Sequence, residues 1–257
     1  MIGFFIKKAF FDGWDNLLTV ALFNLGYVVI ILAFLAAPMA FPRSLPASLV
    51  LALLCVFLFY FYSGGVARFF GEIAFDRRPE FRDFLTCCRD SWKTSLTLAA
   101  ITSMQLIVLA VGFPFYLSMG GILATAALSI LFWGSVLWWL VSLWVYPVSI
   151  QLESTVKLQL KKSLILFLDN TGFTVFLAFY TLVNFFLSII TAFLVPGFSG
   201  IHYSRQIALK LRMYKYDYLE QNPGVPKRSI PWTALLEEEK EKMGTRTAKG
   251  MIFPWKD

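Results

Sequence analysis

The sequence predicts an all-α fold, a polytopic membrane helical bundle, and three observations carry that prediction. Of 257 residues, 58% are apolar and only 15% charged, where soluble domains are nearer half and a quarter. Mean hydropathy is +0.67. Five stretches, 17–41, 47–67, 96–117, 122–146 and 173–195, are almost unbroken in apolar residues. About 20 such residues let a helix cross a hydrocarbon core about 30 Å thick. A barrel is excluded, because its strands would alternate polar and apolar residues.

The first stretch follows Lys7 and Lys8 and ends in "LAAPMA", which superficially matches a secretory signal. A signal core runs about 7–15 residues, and this one is far longer, so it reads as a retained first span. The three cysteines offer no disulfide framework. Cys55 lies within a span, and Cys87 and Cys88 are adjacent, a spacing that suits small apolar fillers better than a bridge or a metal site.

The basic residues decide the number of crossings, since Lys and Arg collect on the cytoplasmic side of membrane spans. With five crossings the 23 Lys and Arg divide almost evenly between the faces, 11 against 12. One further crossing after Val195 leaves only Arg43 opposite the other 22. The chain is therefore expected in the cell (cytoplasmic) membrane with both termini cytoplasmic: a transmembrane domain over 1–211 and a cytoplasmic tail over 212–257. The sixth element falls at "GFSGIHYSRQIALKL". A helix over 198–211 extends only about 20 Å and carries His202, Ser204, Arg205 and Gln206, so it should be short and enclosed by protein, with Arg205 snorkelling to the inner interface. The rival, a hairpin turning near Asn184, lacks a Gly or Pro to make the turn.

The spans group into three helical hairpins related by a faint repeat. "KKAFFDGWDN" and "KKSLILFLDN" share Lys-Lys and Asp-Asn, and "DGWDNLLTVA" and "DSWKTSLTLA" share Asp, Trp, Leu, Thr and Ala. Amphipathic lead-ins feed the spans. In "PEFRDFLTCCRDSW", Phe81, Phe84, Leu85, Cys88 and Trp92 share one helical face, the pattern of a helix lying on the membrane surface. The stretch 153–165 is a less regular version. The tail is punctuated by "NPGVP", "IPW" and "FPW"; only 232–243 reads as helical, and its charge suggests a solvated face.

Residue types that carry chemistry are few. His202 is the single histidine, which argues against His-based metal clusters, and no Gly-rich phosphate loop or Asp-rich metal motif occurs. No catalytic, cofactor-binding or metal-ligating residue is assigned, and no cofactor is expected. The polar residues within the spans are the pointers to function: Asn24, Ser63, Gln105, Asn184, His202 and Arg205. The amides of Asn24, Gln105 and Asn184 suit either hydrogen bonds between helices or a solute cavity. Phe81, Phe84, Trp92, Trp232 and Trp255 are candidates for docking a partner, because apolar rings near an aqueous face seek burial. The acidic residues at the basic ends of the spans suggest interfacial ion pairs. The basic excess follows the topology rule, so it favours anionic lipid and implies no nucleic-acid partner.

"FFDGWDNLLTVALFNLGYVVIILAF", "SGGVARFFGE", "FRDFLTCCRDSWKTSL" and "LKKSLILFLDNTGFTV" resemble the corresponding stretches of the YesL-like proteins, small bacterial integral membrane proteins. The resemblance covers about residues 4–210, and the tail departs from it. It implies an inner-membrane protein without catalytic residues, acting as a non-enzymatic accessory to carbohydrate uptake beside an ABC-type sugar permease or other membrane subunit. A stand-alone small-solute transporter and a membrane enzyme acting on lipid or glycan are the alternatives.

Overall fold

The computed structural model describes residues 1–152, 155–226, 229–244 and 246, apart from the side chain of Leu45. Among the described residues ten α-helices follow one another: α1 Ile2–Asp15, α2 Leu17–Ala40, α3 Leu45–Ala74, α4 Phe84–Met119, α5 Gly121–Gln151, α6 Val156–Asp169, α7 Thr171–Ile190, α8 Gly197–Gln221, α9 Trp232–Leu235 and α10 Glu237–Met243. Five of them, α2, α3, α4, α5 and α7, are long and apolar enough to cross a membrane. The chain is an all-α, polytopic membrane bundle. Large apolar side chains face outward along these helices, as at Met39, Ile122 and Ile190, each more than 80% exposed. Lipid is their solvent, so this exposure is no defect, and packing between helices rests on close fit and hydrogen bonds.

Asparagine sets two of the helix breaks. Asn16 ends α1 and Asn170 ends α6, and each turns its side-chain amide back to the carbonyl four residues earlier, on Asp12 at 2.9 Å and on Leu166 at 3.1 Å. The same carbonyls also accept the asparagine backbone N–H groups, at 3.2 and 3.0 Å, so the side-chain amide adds a second local bond at the helix end, where asparagine competes well with continued helix. These are the two positions that the Asp-Asn repeat brings into register.

The third lead-in behaves differently, which corrects the expected surface helix over 79–92. A single 3-10 turn, Phe81–Asp83, enters α4, which then runs unbroken from Phe84 to Met119. Thr94 stands where the repeat places asparagine, and its hydroxyl donates instead to Gln159 of α6 at 2.8 Å. With no amide to cap the turn, the helix continues. The expected common face also divides: Cys88 is buried, Leu85 is 78% exposed and Trp92 46%. The close approach comes from α3, where a Cβ on Gly64 or Gly65 would collide with Ser95 Oγ and Cys88 Sγ respectively. Two glycines on one face let the α4 backbone lie against α3.

α8 is the enclosed sixth element. From Gly197 to Arg212 most of its residues are buried, and it continues through residue 211 without interruption to Gln221. Its start is fixed by Asn24. The Asn24 amide donates to the carbonyls of Leu194 and Pro196 at 2.9 and 2.8 Å, and its oxygen accepts the Ser199 N–H at 2.9 Å. Phe198 packs on Tyr27 and Phe59. Beyond that level α3 runs back to Leu45, about 21 Å at 1.5 Å per residue. The α7–α8 turn thus reaches the middle of α3, and the far halves of the α2–α3 and α4–α5 hairpins extend past it.

Both ends of the described chain lie on one face. Lys8 of α1 meets Glu239 of α10 at 2.8 Å, and Asp15 meets Arg246 at 2.6 Å. The tail helices are therefore docked by one face, while Glu237, Glu238, Lys240, Glu241 and Lys242 form the solvated face that the charge of 232–243 suggests. Leu236, Glu239 and Met243 are buried.

Candidate functional site

Five helices, α3, α4, α5, α7 and α8, line a half-open cavity of about 510 Å³ level with the α7–α8 turn. Its walls are largely aromatic: Phe59, Tyr60, Trp138, Trp139, Phe185 and Phe198. Helical spacing makes the lining. On α4 the stripe is Leu98, Thr102, Gln105 and Leu109, and on α5 it is Trp138, Ser142 and Tyr146, each following the three-to-four-residue period that keeps one face together.

The polar groups gather toward the end near α8. Tyr60 and Thr102 share a hydroxyl hydrogen bond of 2.8 Å, and Tyr146 donates to the Tyr60 carbonyl at 2.8 Å. His202 is 6% exposed, with the Tyr146 ring edge-on at 5.5 Å. Three buried polar atoms of the lining, Thr181 Oγ1, His202 Nδ1 and Arg205 Nε, have no hydrogen-bond partner among the described residues. No Asp or Glu lines the cavity.

Four of the six intramembrane candidates thus meet here: Ser63, Gln105, His202 and Arg205. Arg205 corrects an expectation, since its guanidinium turns into the cavity instead of snorkelling to the interface. In a helix the Cα–Cβ bonds tilt toward the N-terminus, and the N-terminus of α8 lies at the middle of the bundle. Reaching the charged face would require the side chain to double back against that tilt. Asn24 and Asn184 lie elsewhere. Asn24 holds the start of α8, while Asn184 donates within α7 to the Tyr180 carbonyl at 2.8 Å. A cavity built from Asn24, Gln105 and Asn184 together is therefore not formed.

The docking candidates separate too. Phe84 is half-buried against Phe23 and Tyr62, and Phe81 stacks on Phe69. Trp232 lies with its ring 5.5 Å from the Arg212 guanidinium. Trp92 keeps an open face. Trp255 lies outside the described residues. Most of the cavity aromatics escaped sequence reasoning, because aromatic residues make up 18% of the chain and a lipid-facing ring reads like a lining one. The α4 stripe of Thr102 and Gln105 was the usable signal.

On the charged face, Glu239 is 1% exposed and accepts from Lys8 and Lys210, both at 2.8 Å, and from the Tyr214 hydroxyl at 2.6 Å. Burial alone would raise its pKa. The two ammonium groups and the tyrosine outweigh that and hold it at about 2. Lys210 also reaches Asp76 at 3.2 Å. The interfacial carboxylates do form ion pairs: Asp12 with Lys8, Glu72 with Arg77 and Asp90 with Arg68 nearby, and Asp169 and Asp15 with Lys215 of α8 and Arg246 of the tail.

The fold and the cavity define the class: a multi-pass α-helical membrane protein with a half-open, partly polar cavity among its helices. No family model, curated protein or solved structure matches the chain, so the likeness to the YesL-like proteins rests on the stretches quoted above.

Proposed function

We propose that the chain is a membrane-embedded, non-enzymatic component of solute uptake that holds a small solute in the cavity. The observation that carries this reading is the cavity itself. Its volume falls within the range of small-molecule sites, about 300–1,000 Å³. Aromatic faces at Trp138, Trp139 and Tyr60 suit stacking on the apolar faces of a sugar ring, and Gln105, Thr181, His202 and Arg205 supply hydrogen-bonding groups. The YesL-like resemblance adds carbohydrate as the solute class, an ABC-type sugar permease as the partner, and an inner membrane with the charged face toward the cytoplasm. The lining offers no carboxylate for the acid–base pairs of glycan hydrolysis, which weighs against the enzyme reading.

The stand-alone transporter is the second reading, favoured by one observation. The Lys8–Glu239–Lys210 cluster ties α1, α8 and α10 together on the charged face, a place for a gate. Affinity isolation from native membranes, with sugar uptake measured in deletion strains, separates the two. The accessory reading expects permease subunits to co-purify and uptake to fall without the chain. Uptake by the purified chain alone in proteoliposomes would replace it with the transporter reading. Turnover of a lipid or glycan that disappears in His202→Ala would replace both.

A further inference from the structure

The buried cations of this protein are partnered. Lys8 meets Asp12 and Glu239, Lys210 meets Asp76 and Glu239, and Lys215 meets Asp169. Arg212 lies 4.0 Å over the Phe173 ring. Arg205 departs from this pattern. Its guanidinium lines a cavity with no carboxylate among the described residues and has neither an ion pair nor an aromatic ring over it there. Its Nε is buried and unbonded, as is that of Arg212, but Arg212 lies against the Phe173 and Trp232 rings. A charge in a low-dielectric site without a partner is strongly unfavourable, and a neutral residue of similar size would fill the same space more stably. His202 Nδ1 and Thr181 Oγ1, also unpartnered, border the same cavity. Three unmet groups around one space, one of them a fixed positive charge, describe the complement of an anion.

We infer that the cavity takes a ligand bearing a carboxylate or phosphate group on a ring or apolar body, with Arg205 as the counter-charge and His202 and Thr181 as hydrogen-bonding neighbours. This rests on the reading of the cavity as a solute site and deepens it. The guanidinium presents several N–H donors in a planar fork that matches both anions. The aromatic walls take the body of the ligand. Two sources share this chemistry, an acidic or phosphorylated sugar and an anionic phospholipid headgroup.

The test uses the full chain in nanodiscs and compares probes that differ only in charge. Glucuronate and glucose 6-phosphate are titrated against glucose in phosphatidylcholine nanodiscs, following the emission of the cavity tryptophans and calorimetry. In parallel, native mass spectrometry reads retention of phosphatidylglycerol against phosphatidylcholine. The expected result is at least tenfold tighter binding of a charged sugar than of glucose, or selective retention of phosphatidylglycerol. Either should be lost in Arg205→Gln and at least partly kept in Arg205→Lys. Ligand-free Arg205→Gln should melt no lower than the parent. The inference is overturned if glucose binds within threefold of both charged sugars and phosphatidylglycerol is not preferred, or if anion binding survives Arg205→Gln unchanged. Should Arg205→Gln fail to fold, the comparison of probes on the parent chain and on Arg205→Lys still decides. Glucose binding as tight as that of the charged sugars, with no lipid preference and no dependence on Arg205, sinks this inference and leaves the uptake reading standing. Arg205-dependent anion binding by a chain whose deletion leaves uptake intact does the reverse.

Discussion

Lys8, near the start of the chain, and Glu239, near its end, meet at 2.8 Å with less than a tenth of either side chain exposed. This contact fastens the tail beneath the bundle and brings α1, α8 and α10 to one carboxylate. Removing one member of a buried ion cluster leaves the others uncompensated, at a cost of about 3–5 kcal/mol. Glu239→Gln is expected to lose about 3 kcal/mol of tail docking, the lower end because Lys8 keeps Asp12 and Lys210 keeps Asp76. Limited proteolysis checks this: cleavage between α8 and α10 should accelerate strongly, and an unchanged rate would refute it.

The same carboxylate sets a pH dependence. The pKa of Glu239 is depressed in the folded protein, to about 2 from the ordinary 4.5. Its contribution is therefore complete above about pH 4.5 and fades as pH falls toward 2. Tail docking, followed by the emission of Trp232 in a variant lacking the other tryptophans, should hold at pH 5 and weaken progressively below pH 4. Weakening between pH 8 and 6 would point to a different group.

Asn24→Leu should destabilise the start of α8. The substitution leaves the Leu194 and Pro196 carbonyls and the Ser199 N–H without their partner. An unsatisfied buried polar group costs about 1–3 kcal/mol, so a loss of at least about 3 kcal/mol is expected, read as an earlier thermal transition in detergent. A melting temperature equal to the parent's would show that the turn finds other donors.

Gly65→Val tests the α3–α4 contact. The new side chain meets Cys88 Sγ and the Phe84 ring, and overpacking of this kind costs about 1–3 kcal/mol. Reaction of Cys88 with a small maleimide should rise as the helices separate. Gly134→Val, where open space surrounds the glycine, is the control and should leave labelling unchanged.

Orientation is tested by single cysteines. Arg43→Cys and Ser229→Cys should be labelled from opposite sides of sealed cells, Ser229→Cys only after the membrane is opened. Labelling of both from outside would remove the even number of crossings.

Much of this protein was legible in its sequence. Lipid demands that backbone polar groups be satisfied within each segment, so long apolar runs dictate helices. The distribution of Lys and Arg required the chain to return after Val195, as α8 does. The Asp-Asn repeat, read only as a likeness between hairpins, falls on the breaks at Asn16 and Asn170, where each asparagine amide bonds within its own helix. Tertiary structure decided the rest. Sequence alone left Asn24 between helix bonding and a solute cavity, and set Arg205 at the inner interface. Only the packing of α8 against α2 and α3 made one a structural clasp and turned the other into a cavity. The reason is physical: a side chain's partner is chosen by which helices pack together and by the direction its Cβ points, and those contacts span residues as distant as 24 and 199.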